Sequence, residues 1–277
     1  MKIAINGFGR IGRSVFRILA ERDDLKVVAI NDISDPKSLA YLLKYDSVMG
    51  PFSGSVTLEN GVLTTDKQDC RMLAERDPAS LPWKDLGVDV VIESTGRFRS
   101  RAECQLHIDA GAEKVILTVP PKDDIDALLV LGVNDDILKP SHRIVSNASC
   151  TTNCLAPIVK VLQQKVGIKH GSMTTIHDIT NTQTIIDAPH KDLRRARSCG
   201  TSLIPTTTGS ATAITHIFPE LKGKLNGHAI RVPLANASIT DCVFEVVRGT
   251  TVEEVNKLLK EAAESELKDI MGFEERP

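Results

Sequence analysis

The sequence predicts an α/β protein in which an N-terminal doubly wound parallel sheet, over residues 1–149, precedes an α+β domain over residues 150–277. Three observations predict this fold class. Short β-branched apolar runs alternate with helical patterns in the first half, and a glycine-rich turn joins the first run to the first helix. After about residue 150 the runs become longer and richer in Thr and Val, without a low-complexity linker at the boundary.

The first half has the alternation that is typical of a Rossmann domain. In the first predicted helix, residues 11–21, apolar residues recur at Ile11, Val15, Ile18 and Leu19, which is a helical spacing. Strands that alternate with helices imply a parallel sheet with helices on both faces. The predicted strands are residues 2–6, 26–31, 88–93, 114–118 and 127–131, and residues 101–110 form a further helix.

The second half predicts a mixed or antiparallel sheet with one layer of helices. Residues 150–164 have a helical pattern, and Ser149 precedes them as a candidate N-cap. The remaining predicted strands are residues 171–177, 229–233 and 238–247, and the remaining predicted helices are residues 210–217 and 252–264.

The composition is that of an ordinary soluble protein, with 42% apolar and 25% charged residues. A net charge of −2 gives no general reason to expect nucleic acid or an anionic membrane as a partner. No apolar run approaches the ~20 residues that span a bilayer, and the N-terminus lacks a signal-peptide pattern. We therefore expect a cytoplasmic protein whose six cysteines are thiols.

A G-x-G-x-x-G turn, at Gly7, Gly9 and Gly12, follows the first predicted strand and opens the first predicted helix. Such a turn lets the backbone approach a pyrophosphate at the helix N-terminus. Asp32 closes the second strand, where a carboxylate can accept hydrogen bonds from ribose hydroxyls. The alternative is a strand–helix turn without a ligand. The charge of Asp32 opposes the extra phosphate of NADP, so the pattern favours NAD.

Cys150 opens a predicted helix, where the helix N-terminus stabilises a thiolate and lowers the pKa of the thiol. Cys154, one turn later, is expected to face into the helix body. The alternative for the pair is two small core residues, and a metal site is disfavoured because no further ligands are suitably spaced. His177 ends a predicted strand, and a cysteine with a remote histidine is typical of covalent catalysis. Taken alone, a histidine at a strand end is more often structural.

Six motifs, in this order over the whole chain, resemble phosphorylating glyceraldehyde-3-phosphate dehydrogenase. They are NGFGRIGR at 6–13, SNASCTTNC at 146–154, TTIH at 174–177, HKDLRRAR at 190–197, PTTTG at 205–209 and IRVP at 230–233. The resemblance implies a Rossmann cofactor domain and a C-terminal α+β catalytic domain. It also implies oxidation of D-glyceraldehyde 3-phosphate to 1,3-bisphosphoglycerate, in glycolysis or gluconeogenesis, with NAD as the cofactor.

In the implied reaction, Cys150 attacks the aldehyde and His177 assists the thiolate and removes the hydroxyl proton as hydride leaves for the nicotinamide. Inorganic phosphate then cleaves the thioester on Cys150. The resemblance assigns the substrate phosphate to Thr180 and Arg231. It assigns the attacking phosphate to Ser149, Thr151, Thr208 and Gly209, with Arg195 nearby.

The resemblance also implies a cofactor set and a homotetramer. Residues 179–201 resemble the family's long loop at the tetramer core, which lines a neighbour's cofactor site; the alternative for its arginines is a solvated basic turn. The cofactor set is Asn6, Gly7, Phe8, Gly9, Arg10, Ile11, Gly12, Asp32, Arg76, Ser94, Thr95, Gly96, Phe98, Thr118 and Asn181.

Several features depart from the family pattern. Family members continue for several dozen residues beyond the equivalent of Pro277, so we expect this chain to be a fragment whose catalytic domain is truncated. Ala188 and Pro189 mix two versions of a cofactor-selecting pair, which leaves NADP open as an alternative cofactor. Other stretches resemble a subgroup linked to arsenate resistance, in which arsenate replaces phosphate. The alternatives for function are erythrose-4-phosphate dehydrogenase, or an inactive truncated binding protein.

Overall fold

The computed structural model describes every residue from Met1 to Pro277, and it divides into two compact units. Unit 1 comprises residues 1–129 and 137–148, and unit 2 comprises residues 130–136 and 149–277. None of the helices is long and apolar enough to cross a membrane.

Unit 1 is built on a nine-stranded sheet with helices α1 to α4. The elements are β1 (Lys2–Asn6), α1 (Arg10–Ala20), β2 (Lys26–Asn31), α2 (Pro36–Lys44), β3 (Tyr45–Asp46), β4 (Gly50–Pro51), β5 (Val56–Glu59), β6 (Val62–Thr65), β7 (Asp69–Leu73), α3 (Trp83–Leu86), β8 (Val90–Glu93), α4 (Arg101–Asp109), β9 (Lys114–Leu117), β10 (Ala127–Leu128) and β11 (Ile144–Ser146). The strand order is β10-β11-β9-β8-β1-β2-β7-β6-β5, and β3 and β4 form a separate pair.

The seven strands from β10 to β7 in that order run parallel, which confirms the predicted doubly wound sheet. Strands β5 and β6 add an antiparallel edge that the apolar patterns did not predict. The strand predicted at 127–131 ends earlier, at Leu128. The side chains of Asn134 and Asp135 accept hydrogen bonds from the backbone N–H groups of Val130 and Gly132, which are therefore not available for pairing in the sheet.

Both faces of this sheet are covered, because alternate residues of β1 enter different cores. Ile3 and Ile5 pack with Phe8 and Phe16 on one face. Ala4 packs on the other face in a cluster around Trp83. The alternation follows from the two-residue repeat of a strand. The parallel pairing of β1 with β2 and β8 places the carboxyl ends of the three strands side by side.

Unit 2 holds a four-stranded mixed sheet and three helices, as predicted for the second half. The elements are α5 (Cys150–Lys165), β12 (Ile168–His177), β13 (Ile204–Thr207), α6 (Ser210–Ile217), β14 (Leu225–Arg231), β15 (Ser238–Val246) and α7 (Val252–Glu264). The strand order is β13-β14-β12-β15. Strands β12 and β14 are parallel and the two outer pairs are antiparallel. The strand predicted at 229–233 begins and ends earlier than expected, at Leu225 and Arg231.

Candidate active site

A cavity of about 290 Å³ lies at the carboxyl ends of the parallel strands in unit 1. In open α/β sheets this edge is where nucleotides bind, because the loops that follow the strands leave a crevice there. Twelve residues line the cavity: Asn6, Gly7, Gly9, Asn31, Asp32, Ile33, Glu75, Arg76, Ser94, Thr95, Arg97 and Phe98.

The glycine-rich turn fits a phosphate-bearing ligand for steric reasons. A Cβ on Gly7 would lie 2.6 Å from the backbone nitrogen of Thr95, and Gly7 has a φ of +91°. A Cβ on Gly12 would lie 2.1 Å from the carbonyl oxygen of Gly7. By contrast, a Cβ on Gly9 would meet nothing within 4 Å. Gly9 is the N-cap of α1 and provides no side-chain cap at the start of this helix, where an anion can bind.

Asp32 stands at the end of β2, and its carboxylate is already oriented by the backbone. Oδ2 accepts a hydrogen bond from the N–H of Phe8 at 2.7 Å, and Oδ1 accepts one from the N–H of Ser34 at 2.9 Å. A carboxylate oxygen has two lone pairs, so each can still accept a further hydrogen bond from a ligand hydroxyl. This geometry suits the ribose contact expected from the sequence.

Eight of the fifteen predicted cofactor residues line the cavity: Asn6, Gly7, Gly9, Asp32, Arg76, Ser94, Thr95 and Phe98. The side chain of Phe8 lies in the core instead, in edge contact with Phe16, and Ile11 is 51% exposed. Thr118 donates to the carbonyl of Glu93 at 3.2 Å, and Asn181 is an exposed residue of unit 2. The predicted cofactor residues outside the lining also include Arg10 and Gly96, which are exposed, and Gly12, which is tightly packed.

Sequence reasoning missed four residues of the lining: Asn31, Ile33, Glu75 and Arg97. Asn31 could have been found, because it is a polar residue that ends an apolar strand beside the equally polar Asn6. Glu75 and Arg97 lie in loops without a distinctive pattern, so only the fold could reveal them.

In unit 2, the thiol of Cys150 is the first side chain of α5 and lies against His177, the last residue of β12. Its Sγ is 3.3 Å from Nε2 of His177. This hydrogen bond, with further ones from Thr151, lowers the pKa of the Cys150 thiol, although desolvation by neighbouring groups opposes the shift. The same bond is the main cause that raises the pKa of His177. Both directions favour a thiolate paired with an imidazolium.

The other ring nitrogen of His177 faces Asp178 and Arg231. Nδ1 lies 2.9 Å from the backbone oxygen of Asp178 and also contacts the Asp178 carboxylate. Nη1 of Arg231 lies 2.8 Å from both Nδ1 and that backbone oxygen. The two acceptors of Asp178 favour a proton on Nδ1, whereas the positive charge of Arg231 lowers the pKa of His177 and opposes it. Asp178 was not among the predicted site residues. Its position directly after the strand-end histidine could have indicated it in the sequence.

Cys154 does not face into the helix body, so that expectation is wrong. Cys150 and Cys154 are both exposed. Residues four apart lie on the same face of a helix, and the buried face of α5 carries Thr151, Thr152, Leu155 and Ala156 instead. The alternative of two small core residues is wrong for the same reason.

Four predicted phosphate-site residues meet around the N-termini of α5 and α6. Ser149 caps α5 through the N–H of Thr152 at 3.1 Å, and its hydroxyl lies 3.4 Å from that of Ser210. The hydroxyl of Thr208 lies 3.1 Å from the same Ser210 hydroxyl. Gly209 is the N-cap of α6 and offers no side-chain cap. Thr151 is buried in the first turn of α5. The partial positive charge of the two helix N-termini, together with these hydroxyls, can bind an anion.

Three further predicted residues belong to other segments of unit 2. Arg195 is held by the hydroxyl of Thr206, at 2.9 Å from Nε and 2.7 Å from Nη2. Thr180 bonds to Oε1 of Gln183 at 3.1 Å. Burial lowers the pKa of Arg231, and Nε of this side chain is buried without a hydrogen-bond partner. An unpaired buried guanidinium N–H is costly, so Arg231 is a ready donor for an anionic ligand.

Comparison with known proteins agrees with both units. The family described as glyceraldehyde 3-phosphate dehydrogenase, NAD binding domain, matches residues 1–101, and the family described as glyceraldehyde 3-phosphate dehydrogenase, C-terminal domain, matches residues 149–277. These matches confirm the family resemblance and the fold class, and they support NAD as the cofactor.

Individual relatives point to the same family. The chain is 53% identical to glyceraldehyde-3-phosphate dehydrogenase 1 of Bacillus cereus over 277 residues, and 53% identical to the glyceraldehyde-3-phosphate dehydrogenase of Geobacillus stearothermophilus over 278. It is 56% identical to that of Thermotoga maritima over 278 residues. Each alignment covers all of this chain and 83% of the relative. The chain therefore belongs to the glyceraldehyde-3-phosphate dehydrogenase family and is an NAD-dependent oxidoreductase.

Proposed function

We propose that this enzyme oxidises D-glyceraldehyde 3-phosphate to 1,3-bisphosphoglycerate through a thioester on Cys150. The observation that supports this most strongly is the 3.3 Å contact between Sγ of Cys150 and Nε2 of His177. In this assignment residues 1–149 bind the cofactor and residues 150–277 perform the covalent chemistry. The thiolate is the nucleophilic form of cysteine, and the geometry keeps it paired with an acid that can move a proton.

The chemistry of Cys150 and His177 follows from their protonation states. The thiolate sulfur adds to the aldehyde carbon, and Nε2 of His177 donates its proton to the developing oxyanion. Nε2 then takes that hydroxyl proton back as the carbon is oxidised to the thioester. NAD, held at the glycine-rich turn and Asp32, supplies the hydride acceptor when it is bound. General acid–base assistance of this kind contributes about 10²–10⁴-fold in rate.

The anion sites account for the two phosphates of the reaction. Arg231, whose Nε has no partner, suits the phosphate that the substrate already has, together with Thr180. Arg195 is assigned to the neighbourhood of the attacking phosphate. The N-termini of α5 and α6, with Ser149, Thr151, Thr208 and Gly209, suit the inorganic phosphate that attacks the thioester. Attack by phosphate breaks the C–S bond, releases the Cys150 thiolate and gives the acyl phosphate.

Arsenate is expected to replace phosphate as the attacking anion. The helix N-termini offer N–H groups and hydroxyls, which distinguish charge and shape but not the central atom of a tetrahedral oxyanion. NADH formation with arsenate in place of phosphate is the expected result. A chain that uses phosphate and is inert with arsenate would overturn this part of the proposal.

Self-association as a homotetramer is supported by the apolar residues of the segment 179–201. Ile185, Ile186 and Leu193 are 80%, 75% and 80% exposed, which is unusual for large apolar side chains in a folded monomer. Sedimentation velocity should give a tetramer, and Ile185→Ser combined with Leu193→Ser should give smaller species. A monomeric wild-type chain would contradict the proposal.

The central test is NADH formation from glyceraldehyde 3-phosphate by the 277-residue chain, measured with and without inorganic phosphate. We expect turnover that depends on phosphate and is lost in Cys150→Ser. Turnover without any phosphate dependence would instead indicate release by hydrolysis, as in erythrose-4-phosphate dehydrogenase. A Cys154→Ser variant is the matched control, because it removes an exposed thiol of the same helix.

A further inference from the structure

Glu93, the last residue of β8, has a fully buried carboxylate that accepts four hydrogen bonds. Oε2 accepts from Nδ2 of Asn6 at 2.6 Å and from Nε2 of His107 at 3.2 Å. Oε1 accepts from the backbone nitrogen of Thr95 at 2.8 Å and from the Thr95 hydroxyl. The carboxylate therefore ties together the end of β1, the helix α4 and the loop that follows β8.

The backbone of Glu75 fixes the direction of the hydrogen bond at Asn6. A backbone N–H can only donate, so the side-chain atom of Asn31 that lies 2.8 Å from the nitrogen of Glu75 is the amide oxygen Oδ1. The amide nitrogen of Asn31 then donates to Oδ1 of Asn6 at 2.7 Å, which leaves Nδ2 of Asn6 facing Glu93. Reversal of either amide would place two donors or two acceptors together.

Trp83 fixes the direction at His107 in the same way. An indole N–H can only donate, and Nε1 of Trp83 lies 3.0 Å from Nδ1 of His107. Nδ1 is therefore unprotonated, and the neutral ring has its proton on Nε2, which donates to Glu93. Nδ2 of Asn6 and Nε2 of His107 lie 3.4 Å apart, as expected of two donors that share one acceptor. His107 is a neutral partner of Glu93 and not the cation of an ion pair.

With both ends of the chain of hydrogen bonds fixed, Glu93 must accept from Nδ2 of Asn6, from Nε2 of His107 and from the Thr95 N–H, because none of these can accept in return. An ionised carboxylate also accepts from the Thr95 hydroxyl, the one partner of the four that can either donate or accept. A buried charge without a cation is costly unless its hydrogen bonds are complete. A complete buried network is also rigid, because no member can move without leaving another unpaired.

We propose that Glu93 is a positioning residue of the cofactor pocket, an ionised carboxylate held by neutral donors that fixes the Asn6 amide and the Thr95 loop. Asn6, Asn31, Glu75 and Thr95 all line the cavity, whereas Glu93 does not. The network thus positions cavity-lining residues through hydrogen bonds to a buried residue that does not itself line the cavity. The inference rests on the assignment of this cavity to NAD.

Glu93→Gln tests the proposal, because it keeps the size of the side chain and replaces one acceptor by an NH₂ donor. In either orientation of the amide, at least one of the three donors that cannot accept then loses its acceptor and must move. We expect the Kd for NAD, measured by calorimetry on the 277-residue chain, to rise about tenfold or more. Leu63→Ala is the control: Leu63 is fully buried on β6, which β1, β2 and β7 separate from β8. It lowers stability and should leave the Kd within about twofold of wild type.

The outcomes separate this inference from the proposed cofactor site. If wild type binds NAD and Glu93→Gln binds it equally well at a temperature where both are folded, the positioning role is overturned and the cofactor site stands. If wild type does not bind NAD, the assignment of the cavity fails and the inference fails with it. A loss of thermal stability alone, as in Leu63→Ala, would mark Glu93 as merely structural.

A second pair of variants keeps the inference testable if Glu93→Gln does not fold. In His107→Gln the amide can still accept from Trp83 and donate to Glu93, whereas His107→Leu can do neither. We expect weaker NAD binding in His107→Leu, by several-fold, and binding within about twofold of wild type in His107→Gln. Equal affinities in the two variants would overturn the proposal. Trp83 is the only tryptophan, so its single indole N–H resonance should shift in His107→Leu as a direct sign of the broken network.

Discussion

The Sγ of Cys150 lies 3.3 Å from Nε2 of His177, across a gap of 27 positions in the sequence. Helix α5 is followed directly by strand β12, and the chain turns back between them. The first residue of the helix and the last residue of the strand therefore lie side by side. The contact lowers the pKa of the thiol and raises the pKa of the imidazole. Within unit 2 it joins the proposed nucleophile to a group that can donate and accept a proton.

The paired thiolate predicts selective alkylation. We expect iodoacetamide to modify Cys150 before the other five cysteines, and at lower pH than an ordinary thiol, because hydrogen bonding to His177 lowers the pKa of Cys150. His177→Asn should move alkylation to higher pH and lower kcat by about 10²–10⁴-fold. Mass spectrometry of the labelled peptides checks the site. Faster labelling of Cys154 or Cys199 would count against Cys150 as the nucleophile.

Asp178→Asn should narrow the pH range of activity. Its carboxylate contacts Nδ1 of His177 and stabilises the imidazolium, so its removal lowers the pKa of His177. Because a less stable imidazolium stabilises the thiolate less, the pKa of Cys150 rises. The paired form exists above the pKa of Cys150 and below that of His177, so both limbs of the kcat profile should move inward. We expect about a tenfold loss at the optimum, as for one charge-assisted hydrogen bond of about 1.5 kcal/mol. Asp241→Asn, an exposed acid on β15, is the control, and an unchanged profile in Asp178→Asn would remove that residue from the mechanism.

Arg231→Ala should raise the KM for glyceraldehyde 3-phosphate at least tenfold, because the substrate loses a charge-assisted donor. The unpaired Nε of Arg231 is the reason to expect the effect. Alkylation of Cys150 should persist, since the thiol and His177 remain. Steady-state kinetics with Arg248→Ala as the control would measure this, because Arg248 pairs only with surface groups near Glu254. An unchanged KM would place the substrate phosphate elsewhere.

Asp32→Asn should shift cofactor selectivity towards NADP. The change removes a negative charge from the cavity while an amide can still accept from the N–H of Phe8. We expect the ratio of kcat/KM for NADP to that for NAD to rise about tenfold, since a nearby like charge costs of order 1 kcal/mol or more. Asp35→Asn provides the control, because Asp35 caps α2 outside the cavity lining. Selectivity that does not change would show that Asp32 plays no part in discrimination.

Ser100→Ala should lower the free energy of unfolding by about 1 kcal/mol, because Ser100 and Glu103 form a capping box at the start of α4. Backbone N–H groups of Ser100 and Arg99 hold the pKa of Glu103 at about 2, below its ordinary 4.5. The contribution of Glu103 is therefore complete above pH 4.5 and is lost as the pH falls towards 2. Urea unfolding at pH 7 checks the first statement, with Ser14→Ala inside α1 as the control. Equal stability in Ser100→Ala and wild type would contradict the role of the cap.

Local patterns predicted most of the elements, because apolar spacing, caps and glycine turns act over a few residues. The helices at 210–217 and 252–264 and the strands β1 and β2 match their predicted bounds. Strands β5, β6, β7, β11 and β13 were missed, since runs this short lack a strong period. Cys154 was misplaced because burial depends on what packs against a helix, and a helical period alone does not say which face is covered.

The sequence by itself determined the fold class, the family and the glycine-rich turn, and it pointed to Cys150 as the candidate nucleophile, because these depend on residue type at fixed spacing. Only the tertiary structure decided which remote groups meet. It brought Asp178 and Arg231 to the imidazole of His177. It also closed the network from Asn31 to Trp83 around Glu93. Such contacts join residues from separate elements, and hydrogen bonds act over about 3 Å, so they exist only once strands and helices are assembled.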